Sequence, residues 1–119
     1  RKFENSFCNY TKAKYSISCS SGTSAIDLAL KSIGLKKNDN VIIPSVNFIA
    51  AANMSKLLGA NIFLSDVDKF TGQMRPHDLL KCIKINKIKK IKAFFIMHNG
   101  GNPNFIKDFY NIKKNIELL

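Results

Sequence analysis

Short apolar runs alternate with longer amphipathic stretches along the whole chain, and this alternation limits the available folds more than any other feature. Val41-Ile42-Ile43, Ala60 to Val67 and Ile91 to Met97 are compact and predominantly apolar. Strands covered on both faces read this way, whereas a strand with one wet face alternates strictly between apolar and polar residues. Between the runs, residues 23–34, 48–58 and 76–87 carry apolar side chains at helical spacing. Repeated β-α units follow, giving an α/β fold with a mostly parallel sheet and helices on both faces.

Punctuation residues sharpen the outline. A helix is expected near 3–12, with Phe3, Phe7 and Tyr10 on one stripe, followed by a strand near 15–19. Gly34 stands in the C-terminal capping position of the helix over 23–34. Asn38-Asp39-Asn40 turns the chain into the strand Val41 to Ile43, which Pro44 ends. The helix over 48–58 stops before Gly59, Thr71-Gly72 makes a turn, and Pro76 sits at the start of the next helix. After the strand Ile91 to Met97 come a glycine-rich loop and a helix from Phe105 to Lys114, and Ile116 to Leu119 reads as the opening of a further strand. The chain begins at Arg1 and breaks inside an element at each end. Residues 1–119 are therefore expected to be a fragment, the N-terminal part of a single large domain.

Composition narrows the functional classes. The chain has 119 residues, 45% of them apolar, enough for a core without disulfides or metal. Three cysteines, Cys8, Cys19 and Cys82, are spaced by 11 and 63 residues and fit neither a disulfide framework nor a zinc site, which points to a reducing cytosol. No apolar run approaches the roughly 20 residues that span a bilayer, and no secretion signal opens the chain, so no membrane partner is expected. The formal charge of +11 raises the question of nucleic acid. Of the 19 basic residues only Arg1 and Arg75 are arginines, and Lys, Asn and Ile make up 45 residues, as an AT-rich coding sequence would give. The densest basic run, Lys81 to Lys92, is interleaved with isoleucines and not with stacking aromatics. It reads as a solvated face, and nucleic acid is not expected as a partner.

In an open parallel sheet, ligands gather at the carboxyl ends of the strands. Three loops there carry unusual residues. Cys19-Ser20-Ser21-Gly22-Thr23-Ser24 leads into a helix whose first N–H groups and partial positive charge suit an anion, with Gly22 admitting close approach and Thr23 and Ser24 adding hydroxyls. The competing reading is a plain Ser/Thr helix cap. Phe48, in Pro44-Ser45-Val46-Asn47-Phe48, could stack on a flat heteroaromatic ring or simply fill the core. His98, before Asn99-Gly100-Gly101, could touch a ligand or be satisfied by loop backbone.

Taken in order, Ser21-Gly22-Thr23-Ser24-Ala25-Ile26-Asp27-Leu28-Ala29-Leu30, Val41 to Ser45 with Phe48 and Ala52-Asn53, Gly59-Ala60 leading to Asp66-Val67-Asp68 and Thr71-Gly72, and His98 with Gly101 and Pro103 resemble the DegT/DnrJ/EryC1/StrS family of sugar-nucleotide aminotransferases. The resemblance covers essentially the whole chain. It implies the front half of the large domain of a fold-type-I pyridoxal-phosphate enzyme. Gly22, Thr23 and Ser24 would hold the phosphate of pyridoxal 5'-phosphate, Phe48 would stack on its pyridine ring, and His98 would lie on the substrate side. Asn47 stands where the family usually has Thr, and Ala51 where Thr is common. The lysine that carries the cofactor and the Asp that pairs with the pyridine nitrogen would both follow residue 119, so no catalytic residue is expected in this stretch and no metal is called for. By the same resemblance the parent is a cytoplasmic homodimer that moves an amino group, from glutamate, to a keto sugar nucleotide on the way to surface polysaccharide or glycan precursors. Two alternatives are a pyridoxal-phosphate-dependent sugar 3-dehydratase on the same scaffold and a non-enzymatic basic binding module.

Overall fold

A computed structural model describes residues 1–115. Five helices and three strands follow in the order α1 (Lys2–Thr11), α2 (Gly22–Ser32), β1 (Asn40–Pro44), α3 (Ala50–Leu57), β2 (Asn61–Ser65), α4 (Pro76–Ile85), β3 (Ala93–Phe94) and α5 (Ile106–Asn115), with a 3-10 turn at Asn99–Gly101. The sheet is parallel, in the order β2-β1-β3. Val41 faces Ile62 on one side and Ala93 on the other.

β1 is central, and its alternation builds two cores. Ile42 points to one face, where Met74, Leu79, Cys82, Ile88, Ile91 and Phe109 close under α4 and α5. Val41 and Ile43 point to the other, among Leu30, Leu35, Ala51 and Ala60 under α2 and α3. The chain steps from β1 to β2 in one direction and then crosses back to β3. With β-α-β crossovers of one hand, that reversal puts α3 and α4 on opposite faces. The expected α/β architecture with helices on both faces is therefore present.

The helix ends follow local chemistry. Gly34 adopts φ of +66° after the C-cap Ile33, and Leu35 N–H donates back to the Leu30 carbonyl at 3.0 Å. That left-handed step is open to glycine at little cost. α4 opens on Pro76, with the Arg75 amide donating to the Asp78 carboxylate at 3.0 Å.

Three expectations need correction. Residues 15–19 form no strand: Tyr15 and Ile17 are exposed, and the Ser18 amide donates to the Glu4 carboxylate at 2.9 Å instead of to a neighbouring strand. A stretch that alternates Tyr15, Ile17 and Cys19 with serines becomes a strand only with a partner for its backbone groups. The strand expected over Ile91 to Met97 is reduced to Ala93–Phe94, because β1 offers a partner only over a short register and no strand lies on the other side of β3 among the described residues. The helix from Pro76 stops at Ile85, two residues short of 87, as Lys87 turns to φ of +51°. The strand read at Ile116 to Leu119 lies outside the described residues.

Candidate functional site

Direction along the sheet decides which loops meet. Residues 33–39 return the chain from the end of α2 to the start of β1, an edge marked by the bonds Asn38 N–H to Gly59 O (2.9 Å) and Lys92 N–H to Asn40 O (2.9 Å). α2 consequently begins at the opposite edge, where β1 and β2 end. α3 begins there as well, directly after β1, and both helices lie on the same face.

At the mouth of α2, Ser21 is the N-cap: its hydroxyl accepts the Ser24 amide at 3.1 Å and lies 3.0 Å from the Ser24 hydroxyl, which is also 3.0 Å from that of Ser20. The Ala25 amide closes the first turn on the Ser21 carbonyl. The amides of Gly22 and Thr23 donate to no group among the described residues, and a Cβ at Gly22 would meet no atom within 4 Å. Capping and unpaired donors are thus divided between neighbours. Ser21 secures the turn, while two donors at the positive end of the helix stay unpaired among the described residues and the space on the Cβ side of Gly22 is clear. Those donors and that clearance fit a phosphate group. Ser24 is drawn into the cap through both its amide and its hydroxyl, which lies within hydrogen-bond distance of Ser20 and Ser21.

Phe48 stands just before α3 with 71% of its surface exposed, so it does not fill the core. Its amide donates to the Asn47 side chain at 2.7 Å, and the buried Ala50 and Ala51 let α3 sit close to the sheet. An exposed aromatic fixed at a strand-to-helix corner, flanked by the exposed Val46 and Ile49, suits the face of a flat ring. Gly22, Thr23, Ser24 and Phe48 therefore share one end and one face of the molecule.

His98 is placed differently. It is exposed and lines a groove of about 410 Å³ along β3 with Phe94, Ile96, Ile106, Phe109 and Tyr110, a groove that includes neither Gly22 nor Phe48. No hydrogen bond ties its ring to loop backbone among the described residues.

On the α4 side of the same edge lies a polar network that sequence reasoning missed. The Asp68 carboxylate takes the amides of Thr71 (3.0 Å) and Phe70 (3.1 Å) and the Arg75 guanidinium (3.1 Å). Arg75 also grips the buried Asp78, through Nε at 2.9 Å. The Thr71 amide is the main cause holding Asp68 below its ordinary 3.8, and the Arg75 side chain does the same for Asp78. Asp78 in turn raises Arg75. A capping signal was readable in Arg75-Pro76-His77-Asp78, but the reach back to Asp68 was not. Among the described residues no cluster of His, Cys, Asp or Glu is arranged for a metal, and no helix is long and apolar enough to cross a membrane.

A parallel sheet sandwiched by helices places the chain in the α/β class, in which ligands bind at the carboxyl ends of the strands. Comparison narrows the class. The profile of the DegT/DnrJ/EryC1/StrS aminotransferase family matches residues 1–119, and the chain belongs to that family. A GDP-perosamine synthase of Escherichia coli O157:H7 is 33% identical over 119 residues, all of this chain and 32% of that enzyme. An aminotransferase from Psychrobacter cryohalolentis superposes with a TM-score of 0.86 at 30% identity, over 98% of this chain and 29% of that one. A Streptococcus pneumoniae protein solved in its PMP form shares the fold, with a TM-score of 0.85 at 21% identity over 96% of this chain and 28% of its own. The chain thus spans about a third of the length of the relatives it matches.

Proposed function

We propose that the protein is a pyridoxal-phosphate-dependent aminotransferase that transfers an amino group, with glutamate as donor, to the keto group of a nucleotide-linked sugar, for polysaccharide or glycan precursors. The observation that carries this reading is the pair of unpaired amides at Gly22 and Thr23, at the same edge of the sheet as the exposed Phe48, in a chain of the aminotransferase family. The sugar-nucleotide substrate is supported by the E. coli relative, an enzyme named for a GDP-linked product.

In this reading the Gly22 and Thr23 amides and the positive end of α2 hold the cofactor phosphate, with the Thr23 and Ser24 hydroxyls beside it. Phe48 covers one face of the ring and keeps water from it. When bound, the cofactor supplies the electron sink that lets an amino group pass between carbon skeletons. His98, in a groove apart from Gly22 and Phe48, is given the substrate side by the family resemblance alone. The lysine that carries the cofactor is none of the 17 lysines here, and the working protein is a cytoplasmic homodimer.

The full-length protein is expected to show the visible absorbance of bound pyridoxal phosphate, which an amino donor removes and a keto sugar nucleotide restores. A purified full-length protein that takes up no cofactor would refute the proposal.

A further inference from the structure

Gln73 is buried, with 4% of its surface exposed, yet it lies in a loop, and its side chain bonds to no part of its own loop. Its Nε2 donates instead to two carbonyls of the next loop, Asn102 O at 3.2 Å and Asn99 O at 3.4 Å. The tie is reciprocal: Asn99 Nδ2 reaches the Thr71 carbonyl at 3.4 Å. Gly72 holds φ of +66°, and a Cβ there would come within 3.2 Å of Asn99 Nδ2, so both conformation and space favour glycine at this crossing point.

The two sides of the tie differ in rigidity. The loop carrying Gln73 is locked at its root. Gly72 N–H donates to Asp68 O at 2.8 Å, Asp68 N–H to Gln73 O at 2.9 Å, and Asp68 is fixed to the start of α4 through Arg75. The other loop holds itself with the bonds Gly101 N–H to His98 O (2.9 Å) and Asn102 N–H to Asn99 O (3.3 Å) around two exposed glycines of positive φ. Such a segment has little burial of its own to restrain it. Its backbone position is imposed from outside, by a buried amide whose desolvation is compensated only while both carbonyls stay in place.

We infer that Gln73 is the positioning residue for the loop that begins at His98: with Gly72 and Asn99 it transmits the fixed geometry of the α4 start to that loop and thereby sets where His98 meets substrate. The second half of the statement rests on the aminotransferase reading, whereas the first does not. Gln73 itself touches no reacting atom.

The test compares full-length wild type with Gln73→Leu, which keeps size but removes the donors, Gln73→Asn, which keeps a shorter amide, and Gly72→Ala, which attacks the crossing from the other side. Hydrogen exchange reads the tie directly. The amides of Gly101 and Asn102 are expected to exchange about tenfold faster in Gln73→Leu, with strand β1 unchanged and Gln73→Asn intermediate. Steady-state kinetics read the consequence: KM for the keto sugar is expected to rise about tenfold while cofactor absorbance and KM for the amino donor stay at wild-type values. Faster exchange throughout the protein would mark Gln73 as a general core residue and overturn the inference, as would unchanged exchange at 101–102. Local loosening with an unaltered keto-sugar KM would overturn the positioning role. If Gln73→Leu fails to fold, Gln73→Asn, whose shorter amide falls short of the two backbone carbonyls, is read in the same way. A wild type without transamination defeats the functional proposal alone, because the exchange measurement still decides the tie.

Discussion

At the scale of single residues, the candidate site depends on what Gly22 lacks and what Phe48 leaves uncovered. Gly22 sits at the first position of α2 with open space around it, so Gly22→Ala is expected to leave folding stability within about 0.5 kcal/mol while weakening pyridoxal-phosphate binding about tenfold, because the methyl occupies the ligand's approach. Chemical denaturation and a spectroscopic cofactor titration check the two halves. Phe48→Ala is likewise expected to cost little stability for so large a residue, since most of its surface is already wet, and to lower cofactor affinity about tenfold. A stability loss of several kcal/mol would make Phe48 a core residue after all. Ser55 presents the opposite case: it is fully buried and its hydroxyl finds no partner among the described residues, so Ser55→Ala should stabilise the protein by about 1 kcal/mol in urea unfolding. The start of α2 was legible as a place for either a Ser/Thr cap or an anion: Ser21 takes the cap, and the phosphate role of Gly22 and Thr23 belongs to the proposed function. The buried Gln73 was not legible, since a glutamine in a polar turn looks solvent-exposed until its partners, 26 and 29 residues away, are known.

Among the elements, α4 and the turn before it respond to acid. Asp68 and Asp78 titrate below their ordinary values in the folded protein, so each contributes stability above the unfolded carboxylate pKa and loses it as pH falls through the depressed folded value. The expected window lies below about pH 4. Hydrogen exchange followed from pH 6 to 3 should show residues 68–75 and then 99–102 loosening ahead of β1, and Asp68→Asn should remove much of that pH dependence. Simultaneous loosening of the whole sheet would contradict the order. The elements themselves were largely readable: β1 was outlined by its apolar run and Pro44, α2 and α3 by helical spacing and the glycines that follow them. Residues 15–19 misled because their composition suits a strand while nothing among the described residues supplies one beside them.

At the scale of the whole molecule, charge dominates. Lysines gather where helices end and strands begin, at Lys36, Lys56, Lys84 and Lys90, while the Asp68–Arg75–Asp78 network occupies the opposite edge. With +11 on 119 residues, like charges repel, and the melting temperature of the protein is expected to rise by a few degrees between about 20 and 200 mM salt as they are screened. A fall would mean that attractive pairs prevail. The same titration bears on the basic-module alternative, which requires polyanion binding that weakens steeply with salt.

The cap made by Ser21 has a kinetic corollary. The first turn of α2 is already tied down, so at the proposed phosphate site a phosphate ester would need no local ordering on arrival. Cofactor uptake by apoenzyme should accordingly proceed in a single phase whose observed rate climbs linearly with ligand concentration, without the plateau that a slow rearrangement imposes. Replacing Ser21 with Ala would introduce that plateau.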